Sequence, residues 1–255
     1  MSDHGGRSLT DDDVLAVRPD DPYLRWRLER HPLLALAVDG DHLGYVRRTP
    51  KGENWATLVG EDPTCLAALL AQLTGEVGVD GITVPEAAYA HVPESQRGRD
   101  PGHWSLWFLD NATPVRPSRA VALDDDDPRI APLLVHSPSS YIGPDHPDVR
   151  RWVGVVEGDR LVSVGAHLVD RGDAAHLVSI CTDPSERGRG AAAEVVSGLV
   201  RAARSDGCPI VELEMYVSNS AGASLYRRLG FVEHGRYFSW LIASGSEPSL
   251  VELLA

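Results

Sequence analysis

Two rhythms of apolar positions run along the chain, and each change of rhythm marks an element. From residue 33 the run LLALAV breaks at Asp39-Gly40-Asp41 and resumes as HLGYVR, which predicts a strand hairpin closed by a Gly-containing turn. Residues 55–59 predict a third strand. Residues 63–75 (PTCLAALLAQLTG) open on Pro, hold helix-favouring Ala and Leu and close on Gly, the signature of a helix. Residues 82–85 and 103–109 predict further strands. Residues 1–20 are rich in Gly, Asp and Ser without apolar period, and predict a disordered tail.

Residues 111–119 (NATPVRPSR) hold two prolines and little apolar character, and read as a linker. Beyond them the same grammar returns. Residues 151–156 and 160–169 flank Glu157-Gly158-Asp159 as a hairpin, and 176–182 form the next strand. A long helix is predicted over 188–205, with Ala192, Val195, Val196, Leu199, Val200 and Ala203 at helical spacing. A strand at 210–217, a short helix at 220–229 and two closing strands at 231–234 and 237–242 complete the half. The shared order of elements predicts two domains, 21–110 and 120–243, followed by a tail at 244–255.

A hydrophobic content of 43% supports a substantial core. No apolar run approaches the ~20 residues needed to span a bilayer, and no apolar stretch follows a basic start, so a soluble cytoplasmic protein is expected, without a membrane partner. The formal net charge of −13 disfavours nucleic acid and favours small cationic partners such as amines. The three cysteines (Cys65, Cys181, Cys208) form no CxxC pair, and the ten histidines show no HExxH spacing. No metal is expected.

The stretch with the most chemistry is 179–193, SICTDPSERGRGAAA. A predicted strand ends at Thr182 and a helix opens at RGRGAA. The first backbone N–H groups of a helix lack internal partners and carry the positive end of the macrodipole, so a phosphate can accept several of them. Gly188 and Gly190 let an anion approach the backbone; Arg187 and Arg189 add cationic donors. Neither GxGxxG nor GxxxxGK is present, which sets aside dinucleotide folds and P-loops. An ordinary strand-to-helix turn is the competing reading.

Arg187, Gly190 and Ala192 fit Arg/Gln-x-x-Gly-x-Gly/Ala, and Asn219, Leu225, Tyr226, Gly230 and Phe231 fit Asn-x-x-Ala-x-x-Leu-Tyr-x-x-x-Gly-Phe, with Gly222 in place of Ala. In these two motifs the second half resembles the GNAT N-acetyltransferase superfamily. The resemblance implies an α/β (α+β) fold: a central mixed sheet with a splayed parallel strand pair, flanked by helices. It also implies acetyl-CoA, or another acyl-CoA, as co-substrate, its pyrophosphate held by Arg187, Gly188, Arg189, Gly190, Ala191 and Ala192. The pantetheine arm would lie along the backbone of Ile180, Cys181 and Thr182, with Asn219 helping to position it. The implied reaction is acyl transfer to a primary amine of a small molecule or peptide. A non-catalytic acyl-CoA-binding module and a decarboxylase on the same fold are the alternatives. The first half would be a degenerate GNAT-like copy in a tandem chain, since GEDPTCLAALL lacks the arginines and paired glycines. A homodimer is compatible with the resemblance.

Several residues carry rival readings. Tyr226 matches the family tyrosine that protonates the departing thiolate, or else secures a short helix. His176 is the candidate base, or else a strand-edge histidine; Glu212 and Glu214 are rival bases sharing one face by alternation. Asn219 is also a natural N-cap for the helix beginning at Ser220. Cys181 is expected to pack rather than react. Acceptor specificity is implied to lie partly in 129–148, with Tyr141 and His146.

Overall fold

The computed structural model describes residues 8–27, 31–98, 100–137, 139–140, 142–171 and 174–242. The expected tail at 244–255, Tyr141 and residues 1–7 lie outside the described residues. The chain forms two compact units. One comprises residues 1–103 and 236–247, the other 104–235 and 248–255.

The first unit opens with short helices α1 (Asp11–Leu15) and α2 (Pro22–Arg27). Residues 8–20, expected as a tail, are therefore partly helical. The Asp13 carboxylate accepts the Thr10 N–H at 2.9 Å, Val14 is fully buried, and Asp11 pairs with the buried Arg47 at 2.7 Å. The Thr10–Asp13 bond is local, but the Asp11–Arg47 pair spans 36 residues and the burial of Val14 depends on distant packing, neither of which composition can show. Strands β1 (Leu33–Asp39), β2 (His42–Arg48) and β3 (Asn54–Val59) pair antiparallel. Helix α3 (Pro63–Glu76) then carries the chain to β4 (Gly81–Pro85), parallel to β3 and followed by α4 (Glu86–Tyr89). Leu66, Leu69, Leu70 and Leu73 of α3 bury against the sheet.

The second unit includes β5 (Gly102–Asp110) from Trp104 onward, where it pairs antiparallel with a strand far along the sequence. Then come β6 (Val121–Leu123), α5 (Ile130–Leu134), β7 (Val149–Glu157), β8 (Arg160–Arg171) and β9 (Ala174–Thr182). Helix α6 (Ala191–Ser205) leads to β10 (Ile210–Tyr216), parallel to β9, and α7 (Ser220–Leu229) precedes β11 (Val232–Leu241). Strand order in this unit is β6-β7-β8-β9-β10-β5. The helix expected from residue 188 begins three residues later, because Gly188 and Gly190 adopt left-handed φ. The two closing strands expected at 231–234 and 237–242 are one continuous strand, Gly235 being carried within it rather than turning the chain. From Tyr237 onward β11 pairs with β4, in the first unit.

Pairing therefore does not follow the division at 110 and 120. Each unit has an antiparallel run, one parallel pair bridged by a helix, and a closing antiparallel strand from the other half of the sequence. Such pairings are long-range and leave no trace in local pattern.

Residues 111–119, read as a linker, lie bound as a strap. Arg204 donates to the carbonyls of Asp110 and Thr113 (2.9 and 2.7 Å), Arg201 to that of Ser118 (3.2 Å), and Ser118 Oγ to that of Glu194 (2.6 Å). Prolines exclude helix but do not imply freedom. Beneath the strap, Val195, Val196, Leu199, Val200 and Ala203 of α6 are buried against Val153, Val155, Leu177 and Leu213. A fully buried Leu or Val contributes about 1.5–3 kcal/mol, so this face fixes the helix, and hence its N-terminus, on the sheet.

Candidate active site

The site grows from the parting of β9 and β10. Their register covers Val211–Ala175, Glu212–His176 and Leu213–Leu177 and ends there, although β9 runs on to Thr182 and β10 to Tyr216. Backbone N–H and C=O groups exposed by such a gap need partners. Ile180, Cys181 and Thr182 lie on the diverging end of β9, where an amide-bearing arm could supply them.

Strand β9 ends in a tight turn. Asp183 accepts the Ser185 N–H at 2.8 Å and the Ser185 hydroxyl at 2.6 Å, which hold its carboxyl below the usual range and cap the 3-10 turn Pro184–Glu186. Gly188 and Gly190 follow with φ of 78° and 89°. A Cβ at either would meet no protein atom within 4 Å, so the left-handed backbone, rather than crowding, requires glycine there. Gly190 is the N-cap of α6 and makes no side-chain cap bond. Glu194, in the first turn, is turned aside: its carboxylate accepts the Arg119 N–H at 2.8 Å. The N–H groups of Ala191 and Ala192 thus open the helix with no capping side chain, as an anion site requires.

The two arginines differ in placement. Arg189 is exposed and paired with Glu186 at 2.8 Å. Arg187 donates to the carbonyls of Thr182 and His136, each at 3.3 Å, across the end of β9. Both remain at the open cradle. Among the described residues, no group of three or more His, Cys, Asp or Glu could hold a metal ion.

His176, Glu212 and Glu214 share the sheet face opposite α6, with His176 and Glu212 in direct register. Glu212 is fully buried. His176 Nε2 lies 3.8 Å from Glu214 Oε1; the side chain of His176 is 3% exposed and that of Glu214 24%. Glu214 stands one residue past the last paired position, at the mouth of the gap, whereas His176 lies behind it. His176 is therefore buried and not a strand-edge histidine.

Tyr226 on α7 is buried, its ring edge-on to Phe231 with centroids 5.6 Å apart. Gly230 ends α7 with φ of 93°, and the Phe231 N–H donates to the Tyr226 carbonyl at 3.0 Å, which turns Phe231 into the core. Burial pushes the Tyr226 phenol above its ordinary value near 10, so it stays protonated and can donate but not accept a proton. Asn219 is the N-cap of α7, its Oδ1 accepting the Gly222 N–H at 2.9 Å. Cys181 is buried and its Sγ donates to the Leu133 carbonyl at 3.2 Å; burial raises its thiol, as suits a packed cysteine.

Sequence reasoning missed Ser179. Its φ of 54° is the only positive value at a non-glycine among the described residues. Between the pairs Val164–Cys181 and Ala166–Val178, β9 carries one extra residue, a bulge that no periodicity within SICT announces.

A mixed sheet whose parallel strands part beside an uncapped helix N-terminus is an α/β architecture. Residues 119–231 match the acetyltransferase (GNAT) family model. N-alpha-acetyltransferase MAK3 of Arabidopsis thaliana is 38% identical over 84 residues, 33% of this chain and 42% of the relative. An uncharacterized N-acetyltransferase of Methanocaldococcus jannaschii is 33% identical over 73 residues, 29% of this chain and 32% of the relative. The chain thus spans less than half the length of either curated relative. A GCN5-related N-acetyltransferase from Kribbella flavida is similar in fold, with a TM-score of 0.55 at 14% identity, over 94% of this chain and 98% of that one.

Proposed function

We propose that the chain is an acyl-CoA-dependent N-acyltransferase that moves an acyl group, acetyl in the first instance, to a primary amine. One observation carries the reading: the uncapped α6 N-terminus stands directly after the strand end that parts from β10. A diphosphate and an amide-bearing arm require these two features side by side.

In this reading Gly188, Gly190, Ala191 and Ala192 offer backbone N–H groups to the pyrophosphate of coenzyme A, and Arg187 and Arg189 offer guanidinium donors. Ile180, Cys181 and Thr182 hydrogen-bond the pantetheine arm through their backbone, and Asn219 supports the arm while capping α7. Glu214, at the mouth of the gap, takes the proton of the attacking ammonium, with His176 behind it at 3.8 Å. Backbone N–H groups on the free end of β9 steady the oxyanion. Tyr226, kept protonated by burial, donates to the thiolate as it departs. Coenzyme A supplies the activated acyl group, and the chain's own residues orient it and move the protons. The acidic pair and the net charge of −13 suit a cationic acceptor, either a small amine or a peptide amine. The first unit is proposed to be a degenerate copy without a cofactor site.

The test is thiol release from acetyl-CoA across a panel of small amines and peptide N-termini. Amine-dependent release supports the reading. Binding of acetyl-CoA without such release would make the chain an acyl-CoA-binding module, and carbon dioxide evolution from malonyl-CoA would make it a decarboxylase.

A further inference from the structure

Two side chains of β9 and one from the turn after it donate to carbonyl oxygens of α5 and the chain that follows it. Ser179 Oγ donates to Ile142 at 2.7 Å, Cys181 Sγ to Leu133 at 3.2 Å, and Arg187 to His136 at 3.3 Å. Leu133 and Ile142 are buried with Val178 and Cys181 in one cluster, on the sheet face that also bears His176 and Glu214. The bulge at Ser179 makes this cluster: the extra residue returns Cys181 to the same face as Val178, where unbroken alternation would have opposed them. Its cost falls on Ser179, held in a left-handed conformation that disfavours residues with a Cβ. Glycine would meet that backbone demand more easily. Serine is the residue whose hydroxyl can reach Ile142.

We propose that Ser179 is a positioning residue for the acyl acceptor. Through its hydroxyl it clamps the chain at Ile142 against the strand end that carries Ile180–Thr182, and so sets where the amine stands relative to Glu214. This rests on the acyl-transfer reading above. The clamp acts on the acceptor side of the sheet, so its loss falls on the amine and spares coenzyme A, which is held by backbone and by the α6 N-terminus.

The experiment is steady-state kinetics of S179G, S179A and S179N with acetyl-CoA and the best amine of the panel. S179G removes the hydroxyl and relieves the backbone; S179N restores a donor on a residue that tolerates the left-handed region. The acceptor KM is expected to rise about fivefold or more in S179G and S179A, the scale of one lost hydrogen bond. The acetyl-CoA KM should stay within twofold, and S179N should recover part of the loss. Hydrogen exchange of peptides containing Ile142 should quicken in S179G while those of α6 do not. An unmoved acceptor KM in folded S179G would overturn the role, as would equal rises in both KM values. Absence of amine-dependent thiol release in the unsubstituted protein would overturn the acyl-transfer reading and this role with it, which separates the two failures.

Discussion

Asp62 and Gly190 hold the same position in two helices, and only one of them closes it. Each is the N-cap of the helix that bridges a parallel strand pair, α3 in the first unit and α6 in the second. Asp62 Oδ1 accepts the N–H groups of Thr64 at 2.8 Å and Cys65 at 3.3 Å, so the chain's own carboxylate sits where an anion would. Gly190 leaves the matching groups of α6 uncapped.

Replacing Gly190 by Asp should therefore close the second cradle as the first is closed. Gly190→Ala is the control, because it imposes the same left-handed strain, about 1–2 kcal/mol, without a charge. By calorimetric titration with coenzyme A, Gly190→Asp should bind at least tenfold more weakly than Gly190→Ala, a difference of about 1.4 kcal/mol. Equal affinities for the two variants would mean that the phosphate is held elsewhere.

Tyr226→Phe tests proton donation without disturbing the core. The phenol is buried against Phe231, and the variant should fold as the parent does. Turnover should fall by about 10²-fold, the usual scale of one acid–base group, with the acetyl-CoA KM little changed. There is a second readout. Because burial raises this phenol above its ordinary value near 10, the unfolded chain ionises first. Stability is full below pH 10 and falls as pH climbs past it. Tyr226→Phe should flatten that alkaline fall in thermal melts. A variant with the parent's turnover would remove the tyrosine from the reaction.

What could be read in advance depended on whether a feature is local. The α6 face from Val195 to Ala203, the hairpins around Gly40 and Gly158 and the glycine turn at Gly188 and Gly190 are each written within one stretch of sequence, and the structure has them. The exchange of β5 and β11 between units depends on pairing partners more than 100 residues away, such as Leu106 with Glu214, and local pattern is silent there. Alternation placed Glu212 and Glu214 on one face but could not say which face is covered or that His176 shares it. His176 is buried for that reason, while Glu214 reaches the gap. The bulge at Ser179 has no signature in residue type, since Ser is ordinary in strands.

The division of labour between Glu214 and His176 can be separated by substitution. Glu214→Gln keeps the shape and a hydrogen-bond acceptor but cannot take a proton, and turnover should fall by about 10²-fold or more. His176→Gln should cost less, since the imidazole stands behind the carboxylate. The discriminating measurement is the turnover of the two variants side by side, with the acetyl-CoA KM as the control for folding and cofactor binding. If His176→Gln were the more damaging change, the imidazole would be the base and the carboxylate its partner.

Acid stability should depend on a group far from this chemistry. Asp206, the C-cap of α6, accepts two bonds from Arg151 at 3.1 and 2.6 Å and lies 3.3 Å from the buried His167 Nε2. Arg151 holds the Asp206 carboxyl below its ordinary value, while burial lowers His167 and Asp206 partly offsets that. Both folded-state shifts are downward, so both contributions are present at neutral pH and are lost in acid. The His167 part goes as pH falls below about 6.5, and the Asp206 part below about 4. Arg151 is half exposed, so solvent screens the ion pair and the change in Tm for Asp206→Asn at pH 7.5 should be small. Without the carboxylate only the Leu168 backbone bond offsets the burial of His167, so the variant should lose Tm more steeply between pH 7 and 5. Below pH 4 the parent loses its own advantage and the curves should converge. Parallel curves from pH 7.5 to 3.5 would show that Asp206 is not coupled to His167 at all.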